Sequence, residues 1–185
     1  MKKLRLLWHI FPAFLILTLA AVIAVSWFVI NTLQDFHIAQ IEKSLTAQAQ
    51  LVADQISDKL YRQNSPVLDR LSKKPGEETE TRITIILPDG VVLADSIEDP
   101  QKMDNHARRP EISRALRGHK GVSTRYSRTL LQNQMYVALP VFHDGKIIGS
   151  VRTAIPVTEI EATLASAVGK IAVAGFLIAL VLAIL

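Results

Sequence analysis

A cluster of basic side chains next to a proline is the part of the sequence best suited to bind a ligand. His106, Arg108 and Arg109 directly precede Pro110, and proline is favoured in the first turn of a helix. Backbone N–H groups at a helix N-terminus attract anions, and a guanidinium group can donate paired hydrogen bonds to a carboxylate or phosphate. The segment therefore predicts a binding site for a small anion. The alternative, which stays open, is that these arginines are solvated or paired with acidic neighbours.

Four more side chains join this candidate site from segments with strand-like sequence. They are Arg125, Tyr126, Tyr136 and Arg152. Successive side chains of a strand point to opposite faces of its sheet, so we expect some of the four to face the concave side of the sheet. Surface or dimer contacts are the alternative interpretation.

Metal binding has only weak candidates. Asp95, Glu98 and Asp99 place three carboxylates within five positions, and oxygen ligands suit a hard cation such as calcium. Their spacing does not match an EF-hand loop, which favours a solvated acidic loop instead. His106 has no histidine or cysteine at ligand spacing, so no transition metal is expected. Because an imidazole has an unperturbed pKa of about 6.5, His106 is also a candidate pH switch.

Composition and motifs argue against catalysis and against nucleic-acid binding. No serine or histidine belongs to a nucleophile and base arrangement, and the glycines form no phosphate-cradling loop. The formal net charge of +4 is accounted for by four basic residues that flank apolar runs, namely Lys2, Lys3, Arg5 and Lys170. The intervening segment is neutral. We therefore predict no enzyme activity in these residues, no cofactor and no nucleic-acid partner.

Two apolar runs predict membrane-spanning helices. The first is uncharged from Leu6 to Gln34 and exceeds the roughly 20 residues needed to cross a bilayer. The second follows Lys170 and is unbroken at Leu185, so we expect an incomplete span and interpret the chain as a fragment of a longer protein. A cleaved signal peptide is the alternative for the first run, but its apolar stretch exceeds what a signal sequence needs.

The flanking charges predict the topology. Lysine and arginine are enriched on cytoplasmic flanks, so the predicted boundaries are a cytoplasmic N-terminus over 1–7, a first span over 8–33, an extracytoplasmic domain over 34–167 and a second span over 168–185. The chain is then a two-pass protein of the inner (cytoplasmic) membrane. It contains no cysteine, so the outer domain must be stabilised by packing without disulfides.

The middle segment predicts an α+β domain. A long helix continues outward from the first span, and five segments are typical of strands: 82–87, 91–94, 123–130, 134–142 and 146–155. Pro110 and Gly118 bracket a short helix between the second and third strands. The breakers in 63–66 and 73–78 predict loops. We expect a five-stranded, largely antiparallel sheet with helices on one face.

Two surfaces are candidates for helix pairing. Ile38, Ile41, Leu45 and Val52 form an apolar stripe on the long helix, which suits either a homodimer contact or the domain's own sheet. Gly175, Ala179 and Ala183 recur every four residues in the second span, and small residues at this spacing permit close helix packing in membranes.

The order of short motifs resembles a known family. Asp89-Gly90-Val91-Val92-Leu93-Ala94-Asp95-Ser96, Arg109-Pro110-Glu111-Ile112, Ala115-Leu116-Arg117-Gly118 and Gly149-Ser150-Val151-Arg152 together resemble PAS-like (Cache-type) extracytoplasmic sensor domains of bacterial sensor histidine kinases. The motifs look like those of phosphate-regulon (PhoR-like) sensors in particular. The resemblance covers roughly residues 82 to 160. It implies a homodimeric two-component sensor whose ATP-dependent protein-histidine kinase domains, absent here, would pass the signal to a response regulator.

Three functional hypotheses follow from the resemblance. In the first, a small anion binds the outer domain and the signal crosses the membrane. In the second, the domain binds no ligand and reads an accessory transport protein, as phosphate-regulon sensors suggest. In the third, the same sensor serves a chemotaxis receptor or a nucleotide cyclase, because one sensory domain can be joined to several outputs.

Overall fold

The computed structural model describes residues 2–62, 65–127, 130–157, 169–171, 173–175 and 178. The chain divides into two compact units, one comprising Met1–Ile38 and Glu159–Leu185, the other Ala39–Thr158. The first helix, α1 (Lys2–Tyr61), contributes to both. The candidate site lies in the second unit.

The first unit contains the apolar part of α1. Among the described residues, one helix is long and apolar enough to cross a membrane, with a mean hydropathy of 2.2 over its 18-residue apolar window. Large apolar side chains on it, such as Trp27 and Phe28, are about two-thirds exposed. These properties agree with the first span predicted over 8–33, whose placement in a bilayer stays a prediction.

The second predicted span, over 168–185, lies mostly outside the described residues. Gly175 is described, and a methyl group placed on it would lie 3.7 Å from Cγ1 of Val22. That separation is ordinary van der Waals contact, so Gly175 lies beside α1 within this unit. Ala179 and Ala183 fall outside the described residues, and helix packing through them stays a prediction.

The C-terminal part of α1 packs on its own domain through the stripe predicted for dimerisation. Leu45 and Val52 are buried, at 1% and 5% exposure, and Val52 belongs to the domain core. The dimer assignment is therefore wrong for these two residues, because the sheet of the same chain covers them. Ile38 and Ile41 are half-buried, and a dimer contact through them is untested.

A second helix replaces the predicted loops. α2 (Ser65–Glu78) includes Pro75, although the breakers in 63–66 and 73–78 favoured loops; residues 63 and 64 lie outside the described residues. Pro66 lies in the first turn, where its missing N–H removes no helical hydrogen bond. Leu68 is fully buried in the domain core. Tertiary packing thus outweighs the weak helix propensity of this segment.

The predicted five-stranded antiparallel sheet is confirmed. Its strands are β1 (Arg82–Ile86), β2 (Val92–Asp95), β3 (Gly121–Ser127), β4 (Gln132–His143) and β5 (Lys146–Pro156). The spatial order is β2-β1-β5-β4-β3, and every neighbouring pair is antiparallel.

Helices cover both faces of this sheet, whereas one face was predicted. Ile83, Ile85 and Val151 point towards α1 and form the main core. The opposite face carries a short helix, α3 (Pro110–Ala115), whose Ile112 packs in a second cluster with Ile86. The face of the sheet that carries the charged side chains is therefore covered by α3.

Gly121 fixes how closely α3 approaches the sheet. A Cβ atom at this position would collide with the backbone carbonyl oxygen of Glu111, so only glycine permits the observed contact. The contact places the Glu111 side chain, which is fully buried, against the polar face of the strands.

Candidate ligand-binding site

A cavity of about 260 Å³ opens on the α3 face of the sheet. It is smaller than the roughly 300–1,000 Å³ typical of pockets for drug-sized ligands. Its lining residues are Arg82, Met103, Asp104, His106, Arg109, Arg125, Tyr126, Ser127, Tyr136 and Arg152. Six of the seven predicted ligand-binding residues are thus brought together. Arg108, the seventh, is exposed and does not line the cavity.

Strand alternation places Arg152 at the centre of this face. Its position pairs with Thr84 on one side and Ala138 on the other, and its side chain is 1% exposed. Nη2 donates to Oγ1 of Thr84 at 3.0 Å, and Nη1 lies 3.6 Å from Oε1 of Glu111. Nε and Nη1 of Arg152 are buried without a hydrogen-bond partner among the described residues. The hydrogen-bonding capacity of this central guanidinium group is therefore not filled by the described residues.

Arg125 approaches the same point from β3. Its Nη2 donates to Oε1 of Glu111 at 2.9 Å, while its buried Nε has no described partner. The Tyr136 ring packs against both arginines, with its centroid 4.1 Å from Cζ of Arg125 and 5.0 Å from Cζ of Arg152. An aromatic face at these distances stabilises a guanidinium group and holds both arginines in place. Tyr126, 55% exposed, lines the open side of the cavity.

A buried ion pair supports the other end of the cavity. Nε of Arg82 lies 3.0 Å from both carboxylate oxygens of Asp95. Asp95 also accepts hydrogen bonds from Oγ1 of Thr84 and from the backbone N–H groups of Ile97 and Glu98. The prediction of a solvated acidic loop is therefore wrong for Asp95, which is fully buried.

The weak metal candidates do not form a cluster. Asp95 is engaged by Arg82, and Asp99 caps a short 3-10 helix by accepting from the N–H of Gln101. Among the residues that the structure describes, no group of three acidic, histidine or cysteine side chains could hold a metal ion. The carboxylates of Asp95 and Asp99 thus have structural partners instead.

His106 is held at the cavity by the turn between β1 and β2. Its backbone N–H donates to the carbonyl oxygen of Gly90 at 2.8 Å, and Gly90 has a φ of +88° with the loop packed against it. Glycine adopts this left-handed conformation without strain. The imidazole is 1% exposed; its Nδ1 lies 2.6 Å from the carbonyl oxygen of Asp104, and its Nε2 has no described partner.

The charges around the cavity are predominantly positive. Burial, followed by the charge of Arg125, lowers the pKa of Arg109. Burial and the charge of Arg109 lower the pKa of Arg152 to about 10, so this guanidinium group stays charged at neutral pH. The buried carboxylates of Asp95 and Glu111 face four cavity arginines, while the Asp104 side chain is exposed. An anion would relieve the repulsion among these arginines.

The proposed role of His106 as a switch near neutral pH is wrong. Burial, then the charges of Arg152 and Arg109, lowers its pKa to about 3. The imidazole therefore stays neutral across the physiological range.

This low pKa predicts a pH dependence of stability. Between about pH 6.5 and pH 3 the unfolded chain protonates His106 while the folded chain does not, so the free energy of unfolding should fall as the pH falls through this window. His106→Gln should show a shallower decline. Thermal unfolding of the full chain in detergent at pH 4 to 7 measures the difference; parallel curves for the two proteins would contradict it.

Two residues of the site were not predicted from the sequence. Arg82 is the one charged residue in the apolar strand β1. A charge in an otherwise apolar strand is the sequence feature that could have identified it as a site residue. For Glu111, the sequence shows only an acidic residue in the first turn of a helix, which is a common position and does not by itself indicate a site. Its contacts with Arg125 and Arg152 depend on long-range packing.

Several solved structures share this fold. The sensor domain of the V. cholerae histidine kinase DctB aligns with a TM-score of 0.54 and 21% identity, covering 74% of this chain and 59% of that one. The E. coli DcuS sensor domain gives 0.51 and 16%, with coverage of 65% and 95%. The ligand-binding domain of the Campylobacter jejuni chemoreceptor Tlp3, in complex with 4-methylisoleucine, gives 0.53 and 17%, with coverage of 77% and 60%.

The fold is therefore the α+β fold of Cache/PAS-like sensor domains. At these identities the likeness shows the fold alone. The chain spans about three-fifths of the length of the DctB and Tlp3 structures. No protein-family model matches the sequence, and no curated protein matches it.

Proposed function

We propose that this chain is the extracytoplasmic sensing part of a membrane receptor and that its cavity binds a small carboxylate anion. The observation that carries the proposal is a set of buried guanidinium nitrogen atoms, from Arg82, Arg125 and Arg152, that have no hydrogen-bond partner among the described residues. Leaving such donors unpaired costs about 1–3 kcal/mol each, and more for charged groups. A carboxylate would satisfy several of them at once.

The structural neighbours support this ligand class. The Tlp3 domain is described with 4-methylisoleucine, and a Pseudomonas aeruginosa chemoreceptor domain with GABA; both ligands carry a carboxylate. Phosphate presents similar oxygen acceptors and is the alternative anion. The phosphate-regulon subtype is a hypothesis supported by the sequence motifs alone.

The proposed receptor is a two-pass protein of the inner membrane, with residues 34–167 outside and the output beyond the second span. A histidine kinase acting on a response regulator is the output favoured by the DctB and DcuS folds; a chemoreceptor output is the alternative favoured by Tlp3. A homodimer is part of this proposal. The ligand must bind two signalling states with different affinity, or it cannot shift their populations.

Neighbouring arginines provide a matched test of ligand binding. Arg109 lines the cavity and Arg108 does not, so Arg109→Gln should weaken binding of carboxylates at least about tenfold, since a hydrogen bond to a charged group contributes about 1.5–3 kcal/mol. Arg108→Gln should bind as the wild type does. Calorimetric titration of the full chain in detergent with propionate, lactate, succinate, malate and phosphate measures both.

The outcomes of this titration separate the hypotheses. Equal weakening by both variants would indicate non-specific charge attraction and would contradict a built site. No binding of any acid at millimolar concentration would instead favour the protein-interaction alternative.

The absence of cysteine allows a clean test of topology. A cysteine introduced at exposed Arg108 should react with a membrane-impermeant maleimide in intact cells after outer-membrane permeabilisation. A cysteine at Lys3 should react only after the inner membrane is opened. The reverse pattern, or equal labelling at both positions, would overturn the assignment of 34–167 to the outside.

A further inference from the structure

We infer that the ligand is a hydroxycarboxylate, whose hydroxyl group donates a hydrogen bond to Nε2 of His106. This inference rests on the proposed function and narrows its ligand class. It follows from one buried acceptor among the cavity residues that none of the described groups satisfies.

Geometry fixes the protonation of the imidazole ring. Nδ1 of His106 lies 2.6 Å from the carbonyl oxygen of Asp104, and a carbonyl oxygen can only accept a hydrogen bond. Nδ1 therefore carries the proton, and in the neutral ring Nε2 presents a lone pair. The low pKa of His106 agrees with a neutral ring.

Nε2 lacks the partner that a buried acceptor needs. It is buried, without a hydrogen bond from any described residue, in a residue that lines the cavity. A buried polar atom without a partner is costly. A carboxylate alone cannot satisfy Nε2, because an ionised carboxylate carries no proton to donate. A ligand that carries a donor in addition to its carboxylate would satisfy Nε2 directly.

The charge of the cavity favours a hydroxyl group over an ammonium group as this donor. Four arginines line the cavity, and the charges of Arg152, Arg109 and Arg125 all act on His106. A cation beside Nε2 would be repelled by these groups. Asp104 lines the cavity with an exposed side chain, where attraction to an ammonium group is weakened by solvent. Oε1 of Glu111 already engages Arg125 and Arg152. Its Oε2 has no hydrogen-bond partner among the described residues, but Glu111 does not line the cavity.

Ligand series that differ in one substituent test this inference. Lactate, propionate and alanine share a three-carbon acid and carry a hydroxyl, a hydrogen or an ammonium group; malate, succinate and aspartate repeat the comparison for dicarboxylates. We expect the hydroxy acid of at least one series to bind the full chain in detergent at least about tenfold more tightly than its two relatives, as one satisfied hydrogen bond provides.

Substitutions of His106 test whether its imidazole causes the preference for the hydroxy acid. His106→Leu removes the acceptor and should abolish the ratio between hydroxy acid and unsubstituted acid. His106→Gln can present an oxygen acceptor and should retain part of it. His119→Leu changes an exposed histidine outside the cavity and should leave the ratio unchanged.

Each outcome decides the matter. Preference for the hydroxy acid that disappears in His106→Leu supports the inference. Equal affinity for the hydroxy acid and the unsubstituted acid in both series would overturn the inference while leaving carboxylate binding intact. Tightest binding of the amino acid in both series would overturn it as well. Absence of binding by all six acids would overturn the proposed function itself.

Discussion

Asp95→Asn is expected to lower the free energy of unfolding by about 3–5 kcal/mol, the usual cost of removing one partner of a buried ion pair. The substitution leaves Arg82, at 4% exposure, without its counter-ion. It also weakens the acceptor for Thr84 and for the N–H groups that close the turn after β2. Thermal and urea unfolding of the full chain in detergent measure the loss.

A neighbouring aspartate provides the control. Asp99→Asn removes a charge from the same segment, but Asp99 only caps a short 3-10 helix, and asparagine caps about as well as aspartate. Its effect should stay below about 1 kcal/mol. Comparable losses in the two variants would show that the segment is stabilised by general charge rather than by the buried pair.

Arg152→Met should abolish most carboxylate binding with a smaller effect on stability. Truncating one partner of a buried charge pair costs at least about 2 kcal/mol, which is about 30-fold in affinity. Stability should suffer less than in Asp95→Asn, because Glu111 keeps its 2.9 Å hydrogen bond from Arg125 and repulsion from Arg109 is relieved. Calorimetric titration with lactate and succinate, alongside thermal unfolding, separates the two effects.

An arginine outside the cavity is the matched control for this experiment. Arg117→Met removes an exposed guanidinium group that donates to Ser113, and it should leave binding unchanged. If Arg152→Met bound carboxylates as tightly as the wild type, the central guanidinium group would have no role in recognition.

Sequence patterns were sufficient for the sheet and for much of the site because both depend on local periodicity. The alternation along β4 and β5 brings Tyr136 and Arg152 to the same face, and the register Ala138↔Arg152 confirms it. Pro110 marked the start of α3 correctly. These features are set by neighbours in the sequence.

The misassigned features depend on long-range contacts. Asp95 is buried because the hairpin register aligns it with Thr84 and thereby with Arg82, which composition cannot specify. Leu45 and Val52 were equally suited to a partner helix or to the sheet, and only the tertiary structure distinguishes the two. α2 forms despite Pro75 because Leu68 packs into the core.

The most direct test of the binding site observes the guanidinium groups themselves. In ¹H–¹⁵N spectra of the full chain in detergent, titration with lactate, propionate, malate and succinate should shift the Nε–H resonances of Arg125 and Arg152 saturably, because both atoms are buried without a described partner. The resonance of Arg108 should not move. Saturable binding that leaves Arg125 and Arg152 unchanged, or no saturable shift with any of the four acids, would contradict a carboxylate site in this cavity.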